Sequence, residues 1–321
     1  MDLAELRAAE LNPERYGRLL ADALFSAPAI AALISEVRTA AIAASLPLEL
    51  RLKIPADATE LHALRWERLW TNDEGPLAAS ERVLLTRCVD CPSGSPLDPR
   101  PKNGMRALVV VAAPTDLADY PLAQIDATWW ARQAREQLGS ISTVLLAARG
   151  QATLANIGER LADADILYVV CHGTINRQGA HLWLEQEDGQ CDTVPAERFV
   201  ERIKAASRLP RLVVLVSCHS AGAGDPDTFA SAVGPALARA GVPAVIAMQA
   251  RLSLATATAL MPPLFRALTR HGRVDRALAA ARAGVLALHR PDWWVPTLFM
   301  RDKFAGLWAP APSTRSMRTR R

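Results

Sequence analysis

Two residues able to carry out nucleophilic chemistry stand in matching places. His172 closes the run Ala164-Asp-Ile-Leu-Tyr-Val-Val-Cys-His-Gly173, and Cys218 closes Leu212-Val-Val-Leu-Val-Ser-Cys-His-Ser-Ala-Gly222; each is followed at once by a turn of small residues. An imidazole beside a thiol makes a thiolate nucleophile at neutral pH. The separation of 46 residues (218 − 172) leaves room for one hairpin and one crossover helix. The neighbouring Cys171 lies inside the apolar run and is expected in the core, with His172 on the opposite face. His219 is expected to be structural or to support the nucleophile, projecting away from it if the backbone is extended there.

The elements that must deliver these residues follow from periodicity. Ile166 to Val170 and Leu212 to Val216 have no polar face, so each reads as a strand covered on both sides, as in a parallel sheet with helices above and below. The open edge of such a sheet lies where strands end. From Met105 onward strands and helices alternate. Further strands are predicted at Leu108 to Ala112, Thr143 to Ala147, Ala244 to Met248 and Val295 to Met300. Helices are predicted at Gln124 to Leu138, Leu154 to Leu161, Glu197 to Ala206, Phe229 to Ala240, Thr256 to Arg270 and Val274 to His289, with a hairpin around His181 to Gln190. Upstream, Asn12-Pro13-Glu14 starts a helical stretch that Pro28 divides. Leu48 to Ile54 alternates as an edge strand, a short helix covers Leu61 to Leu69, and Arg82 to Arg87 is a strand. Dense turn formers at 91–104 mark the best internal boundary. The expected organisation is a helical and β lead packing on the core (1–104), an α/β core (105–308) and a flexible Arg-rich tail (309–321).

Composition narrows the function. The chain has 321 residues and a net charge of +4, but Arg315, Arg318, Arg320 and Arg321 lie in the last seven positions, so the body is neutral and a nucleic-acid partner loses its main support. An odd number of cysteines, five, and no leader-like opening point to a reducing cytoplasm. No apolar stretch is long enough to span a membrane. Cys88-Val-Asp-Cys91 has half a zinc-site spacing without a second half, so neither metal nor cofactor is expected. Gly222-Ala-Gly224 lacks the lysine of a phosphate loop and the third glycine of a dinucleotide fingerprint. Trp129-Trp130, Trp293-Trp294 and Trp183 are expected to serve packing, each adjacent pair split between core and surface.

The two blocks just quoted, with Gly241-Val-Pro-Ala-Val-Ile-Ala-Met-Gln249, resemble the CHAT domain family, bacterial caspase-like peptidases related to separase. Glu60-Leu-His-Ala-Leu-Arg-Trp-Glu-Arg-Leu69 looks like the family segment whose Trp-Glu pair precedes the caspase-like sheet. The 46-residue spacing also agrees with the caspase pattern of a histidine about 50 residues before the cysteine. The resemblance runs from about Tyr16 to Trp308. It implies a caspase-like three-layer sandwich, with a mostly parallel central sheet, helices on both faces and the short helical and β lead.

The resemblance further implies a His172/Cys218 dyad, with the backbone N–H groups of Gly173 and Cys218 binding the oxyanion. The expected substrate is a partner protein, cut by an effector of bacterial defence or conflict systems; an activator protein or an additional domain of a longer chain is a further possible partner. Ser217-Cys-His-Ser-Ala differs from the caspase pentapeptide and gives no reason to expect cleavage after aspartate. Asp116, after one predicted strand, and Asp225, past the nucleophile, are the candidates for an acidic pocket floor that selects Arg or Lys. The alternative is a non-proteolytic CHAT-like scaffold that binds a partner without cutting it.

Overall fold

The aliphatic runs that lack a polar face are the central strands. Each of Ile166–Val170, Leu212–Val216 and Ala244–Met248 is buried at all five positions. The structure is a computed structural model and describes residues 3–55, 57–88, 100–176, 178–222, 232–301, 304 and 306–308.

The chain opens with α1 (Leu3–Ala8), α2 (Pro13–Phe25) and α3 (Pro28–Ala43), then β1 (Leu48–Lys53), the short α4 (Thr59–Ala63), the small hairpin β2 (Trp70–Thr71) and β3 (Gly75–Pro76), and β4 (Val83–Cys88). After these come β5 (Arg106–Val111), α5 (Ala127–Leu138), β6 (Ser142–Leu146), α6 (Leu154–Leu161), β7 (Ile166–Val170), β8 (His172–Asn176), β9 (Gly179–Glu185) and β10 (Cys191–Pro195). The remaining elements are α7 (Ala196–Lys204), β11 (Leu212–Val216), α8 (Val233–Arg239), β12 (Ala244–Met248), α9 (Leu254–His271), α10 (Val274–Ala287) and β13 (Pro296–Met300). Residues 229–231 of the predicted 229–240 helix fall outside the described residues.

Eight strands form one sheet in the order β1-β4-β13-β12-β11-β7-β5-β6. Every neighbouring pair is parallel except β12 and β13. Side chains alternate across such a sheet, and the strands divide their residues accordingly. Val109, Val111, Tyr168, Val214 and Ile246 pack against α5, α9 and α10 through Trp130, Leu264, Phe265 and Leu278. Leu108, Val110, Leu167, Val213 and Val245 pack against α6, α7 and α8 through Ile157, Phe199 and Leu237. These are the three layers the sequence implies. The lead joins the same sheet, because β1 pairs with β4 and β4 meets β13 at Arg87 and Phe299.

Two local expectations differ. Residues 61–69 do not form one helix: α4 stops at Ala63, Leu64 is extended (φ −69°, ψ 143°) and a single 3-10 turn follows at Trp66–Arg68. The carbonyls freed by the break are taken by the buried Arg87, whose guanidinium donates to His62 O and Leu64 O, each at 3.2 Å. Trp293 and Trp294 do not split between core and surface, since both are buried; the Arg68 guanidinium lies 3.7 Å over the Trp294 ring. Trp130 is buried, and Trp129 is half-buried against the same core cluster.

The two edges of the sheet differ in chemistry. At the edge where β7 begins, the fully buried Asp165 accepts from Arg208 (2.9 Å), Arg100 (3.3 Å) and the Arg106 N–H (3.1 Å). The opposite edge carries His172 and Cys218. Among the described residues, no single helix is long and apolar enough to cross a membrane; α2 and α3 reach that composition only together, across a 104° break.

Asp165 is buried, but of its cationic partners only Arg211 is, since Arg100 and Arg208 keep 40% and 33% of their side chains exposed. Asp165→Ala is therefore expected to lower unfolding stability by about 1–3 kcal/mol, the cost of leaving buried donors unsatisfied, read as a shift in the denaturant midpoint at unchanged slope; an unchanged midpoint would show that all the donors find water.

Candidate active site

Register brings the two chemical residues together. In the β7–β11 pair Val170 lies opposite Val216, and His172 and Cys218 each stand two residues beyond that last pair. Neighbouring strands are about 4.8 Å apart, so two chains leaving one edge at the same level deliver their next side chains to one place. The Cys171 N–H continues the ladder to Val216 O at 3.2 Å. Both His172 and Cys218 line the same cleft. Gly173 is what permits the approach, because a Cβ there would collide with Ser217 Oγ and the Cys218 carbonyl. The lack of a Cβ at position 173 thus admits the neighbouring turn.

His172 begins β8, a strand absent from the sequence expectations, which pairs antiparallel with β9 and sets His172 opposite Trp183. Its Nε2 lies 2.7 Å from Ala123 O. A carbonyl only accepts, so Nε2 carries a proton, and in the neutral ring the lone pair is on Nδ1. The loop holding Ala123 is tied to the β9–β10 hairpin: Glu185 accepts from the Ala113 N–H at 2.9 Å and the Ala152 N–H at 3.3 Å, and Thr115 N–H donates to Gly189 O at 2.9 Å.

Cys218 sits in a turn stitched to the end of β12. Ala221 N–H donates to Met248 O (2.8 Å), Met248 N–H to Ser220 Oγ (2.9 Å) and Gly234 N–H to Ser220 O (2.7 Å). His219 adopts the left-handed region at φ 58°, so the turn is not extended there. While the N–H groups of His219, Ser220, Ala221 and Gly222 are all bonded, that of Cys218 has no acceptor among the described residues. His219 lies near Arg65 and Arg251, and its imidazole pKa is held down first by burial and then by those charges.

The strand that anchors this turn is braced from the lead. Gln249, one residue past β12, donates to the buried Glu67 at 2.7 Å and to Trp294 O at 3.0 Å, and accepts from Arg87 at 3.0 Å; Arg87 also grips Glu67 at 2.5 and 3.1 Å. Burial pushes the Glu67 pKa up, but Arg87, then Arg282 and Gln249, pull harder, and the net value lies below the usual carboxylate range.

The cleft has a volume of about 110 Å³ and is walled by Ile125, Trp130, Val170, Val216, Leu252, Leu254 and Ala257 beside His172 and Cys218. Asp116 is not among its lining residues; its carboxylate accepts the Cys191 N–H at 2.9 Å and so joins the Ala123 loop to β10. The expected acidic floor is not supplied by Asp116. Asp225 lies outside the described residues. Cys171 is buried as expected, and burial pushes its thiol up to about 12, with the Ser217 hydroxyl pulling weakly the other way. None of the four described cysteines is in a disulfide, and Cys91 of the Cys88 pair lies outside the described residues. Sequence reading missed Ala123 and Gln249. A backbone carbonyl leaves no side-chain signature, and a lone Gln after a buried strand looks like any strand end.

The three-layer sheet with these two strand ends defines a caspase-like α/β fold. The structure is similar to that of the Arg specific cysteine proteinase gingipain R (RgpB), with a TM-score of 0.54 at 15% identity over 88% of this chain and 69% of that one. It is also similar to the complex of Porphyromonas gingivalis RgpB pro- and mature domains, with a TM-score of 0.51 at 15% identity over 88% of this chain and 71% of that one. The Saccharomyces cerevisiae separase-securin complex matches with a TM-score of 0.49 at 13% identity, over 80% of this chain and 16% of that one. No curated protein matches the sequence. The CHAT domain model matches residues 14–305, and the chain belongs to the CHAT domain family.

Two measurements probe the site directly. At pH 8 a thiol with a pKa near 12 is ionised to about one part in ten thousand, so iodoacetamide should alkylate Cys218 and leave Cys171 unmodified by mass spectrometry; equal labelling would place Cys171 in solvent. A carboxylate whose folded pKa is lowered contributes stability that is complete above its unfolded value, near 4.3, and is lost as pH falls through the folded value. Melting temperature should therefore drop more steeply between pH 5 and pH 3 in the wild type than in Glu67→Gln; parallel curves would remove Glu67 from that transition.

Proposed function

We propose that this protein is a cysteine endopeptidase in which Cys218 attacks a peptide carbonyl and His172 moves the proton. The observation that carries the reading is the level exit of His172 and Cys218 from paired strands into one cleft. With its Nε2–H held by Ala123 O, the imidazole has Nδ1 left to act as the base. Cys218 Sγ adds to the carbonyl carbon, and the oxygen develops negative charge. The C–N bond then breaks, the amine leaves with the proton from His172, and water releases the acid from the thioester. The unbonded Cys218 N–H is a suitable donor for the oxyanion, a role shared with Gly173 in the family pattern. Each such donor is commonly worth about 3–4 kcal/mol of barrier.

The substrate is read as a partner protein. The arginine preference belongs to gingipain R; here no carboxylate is among the described residues of the cleft wall. An effector role in bacterial defence is supported by the CHAT resemblance.

Co-expression of wild type, Cys218→Ala and His172→Ala with the proteins encoded beside it tests the reading. New fragments should form with wild type and disappear with Cys218→Ala at unchanged melting temperature, while His172→Ala loses about 10²–10⁴ in rate. Fragments that persist with Cys218→Ala refute a Cys218 nucleophile. A partner bound equally by wild type and Cys218→Ala, and recovered intact from both, establishes the scaffold alternative.

A further inference from the structure

We infer that the cleft beside the dyad is a specificity pocket for an uncharged, apolar side chain, of about leucine or methionine size, on the acyl side of the scissile bond. The inference rests on the peptidase reading and deepens it. Val170 and Val216 are the last residues of β7 and β11, so they lie in the sheet edge directly behind His172 and Cys218. A peptide whose carbonyl carbon reaches Cys218 Sγ has its Cα one bond further on, and the side chain on that Cα meets this cleft first. The floor is hydrocarbon: Trp130, Val170, Val216 and Ala257 are all buried, and Ile125, Leu252 and Leu254 form the rim.

Among the described residues of the wall, the polar members are Gln124, Ser217, the two cysteines and His172, and none is a carboxylate, lysine or arginine. Against these residues an arginine or aspartate side chain would lose hydration without gaining a permanently charged partner. Of the two carboxylates the sequence placed nearby, Asp116 is occupied with the Cys191 N–H and is not among the lining residues, and Asp225 lies outside the described residues. Size narrows the choice further. An apolar cavity of about 150 Å³ holds benzene, so about 110 Å³ suits an aliphatic side chain better than a ring.

Leu254 gives a way to reverse the selection without touching the core. It is 54% exposed and is the first residue of α9, whose Ser253 cap accepts the Thr256 N–H at 3.1 Å. A carboxylate in the first turn of a helix is favourable, so Leu254→Asp should fold while placing a negative charge on the cleft rim.

The test uses four peptides of one sequence that differ only before the scissile bond, as Leu, Met, Arg or Asp. Turnover is measured with wild type, and binding of the dye-labelled peptides with Cys218→Ala. Leu and Met should exceed Arg and Asp by at least about tenfold in kcat/KM and in affinity, the lower end of what one apolar group contributes to discrimination. Adding Leu254→Asp should lower the Leu preference and raise Arg affinity by about tenfold. Selective binding of Leu and Met without turnover keeps the pocket and removes the peptidase reading. The pocket is refuted by an Arg or Asp preference, by equal binding of all four, or by no binding of any. It is also refuted by a Leu preference that Leu254→Asp leaves unchanged.

Discussion

The register between β7 and β11 is the constraint on which the site depends. With Val170 opposite Val216, the two chains leave the sheet level with each other. A slip of one residue would turn His172 or Cys218 to the other face, because side chains alternate along a strand. The register is fixed by burial on both sides: Val214 and Val216 face one helical layer while Val213 and Leu215 face the other, so a slip would exchange two fitted sets of core side chains. Gly173 adds a steric condition, since the turn after β11 occupies the space a Cβ would need.

Strand ends alone leave loops free to wander, and here two polar clamps hold them from opposite sides. One joins the Ala123 loop to the β9–β10 hairpin through Glu185 and Asp116. The other joins the strand behind the Cys218 turn to the lead through Glu67, Arg87 and Gln249. The second is buried and the first partly so, with Glu185 at its buried end, and a half-satisfied buried polar network costs more than an apolar replacement. The clamps therefore favour one arrangement of the loops over its neighbours. They also give the first hundred residues a place in the site, because β4 supplies Arg87 and the break after α4 supplies Glu67.

What was legible in the sequence was whatever hydrophobic pattern encodes. Ile166–Val170, Leu212–Val216 and Ala244–Met248 were readable to the residue, because a five-residue run with no polar face admits little else than a doubly covered strand. From those runs His172 and Cys218 follow at once. The break at Leu64 was not legible, since it is determined by a guanidinium 23 residues away in sequence taking the freed carbonyl. Nor was the place of Asp116: an acidic residue after a strand reads alike whether it faces a substrate or an N–H of another strand, and only the hairpin pairing decides. β8 was hidden because its five residues include His172, Gly173 and Asn176, types that pattern reading assigns to a turn.

The partner that orients His172 shapes what the proposed chemistry can draw on. A buried carboxylate behind a catalytic imidazole both fixes the tautomer and stabilises the imidazolium that forms. The Ala123 carbonyl fixes the tautomer equally well but brings only a dipole to the charged form. A hydroxyl nucleophile would suffer from that economy, because its proton is hard to remove. A thiol suffers less, because it ionises far more readily than a hydroxyl and is intrinsically more nucleophilic. The carbonyl at Nε2 and the thiol at position 218 thus match in demand, whereas serine at position 218 would ask of this imidazole a stabilisation that its only described hydrogen-bond partner cannot supply.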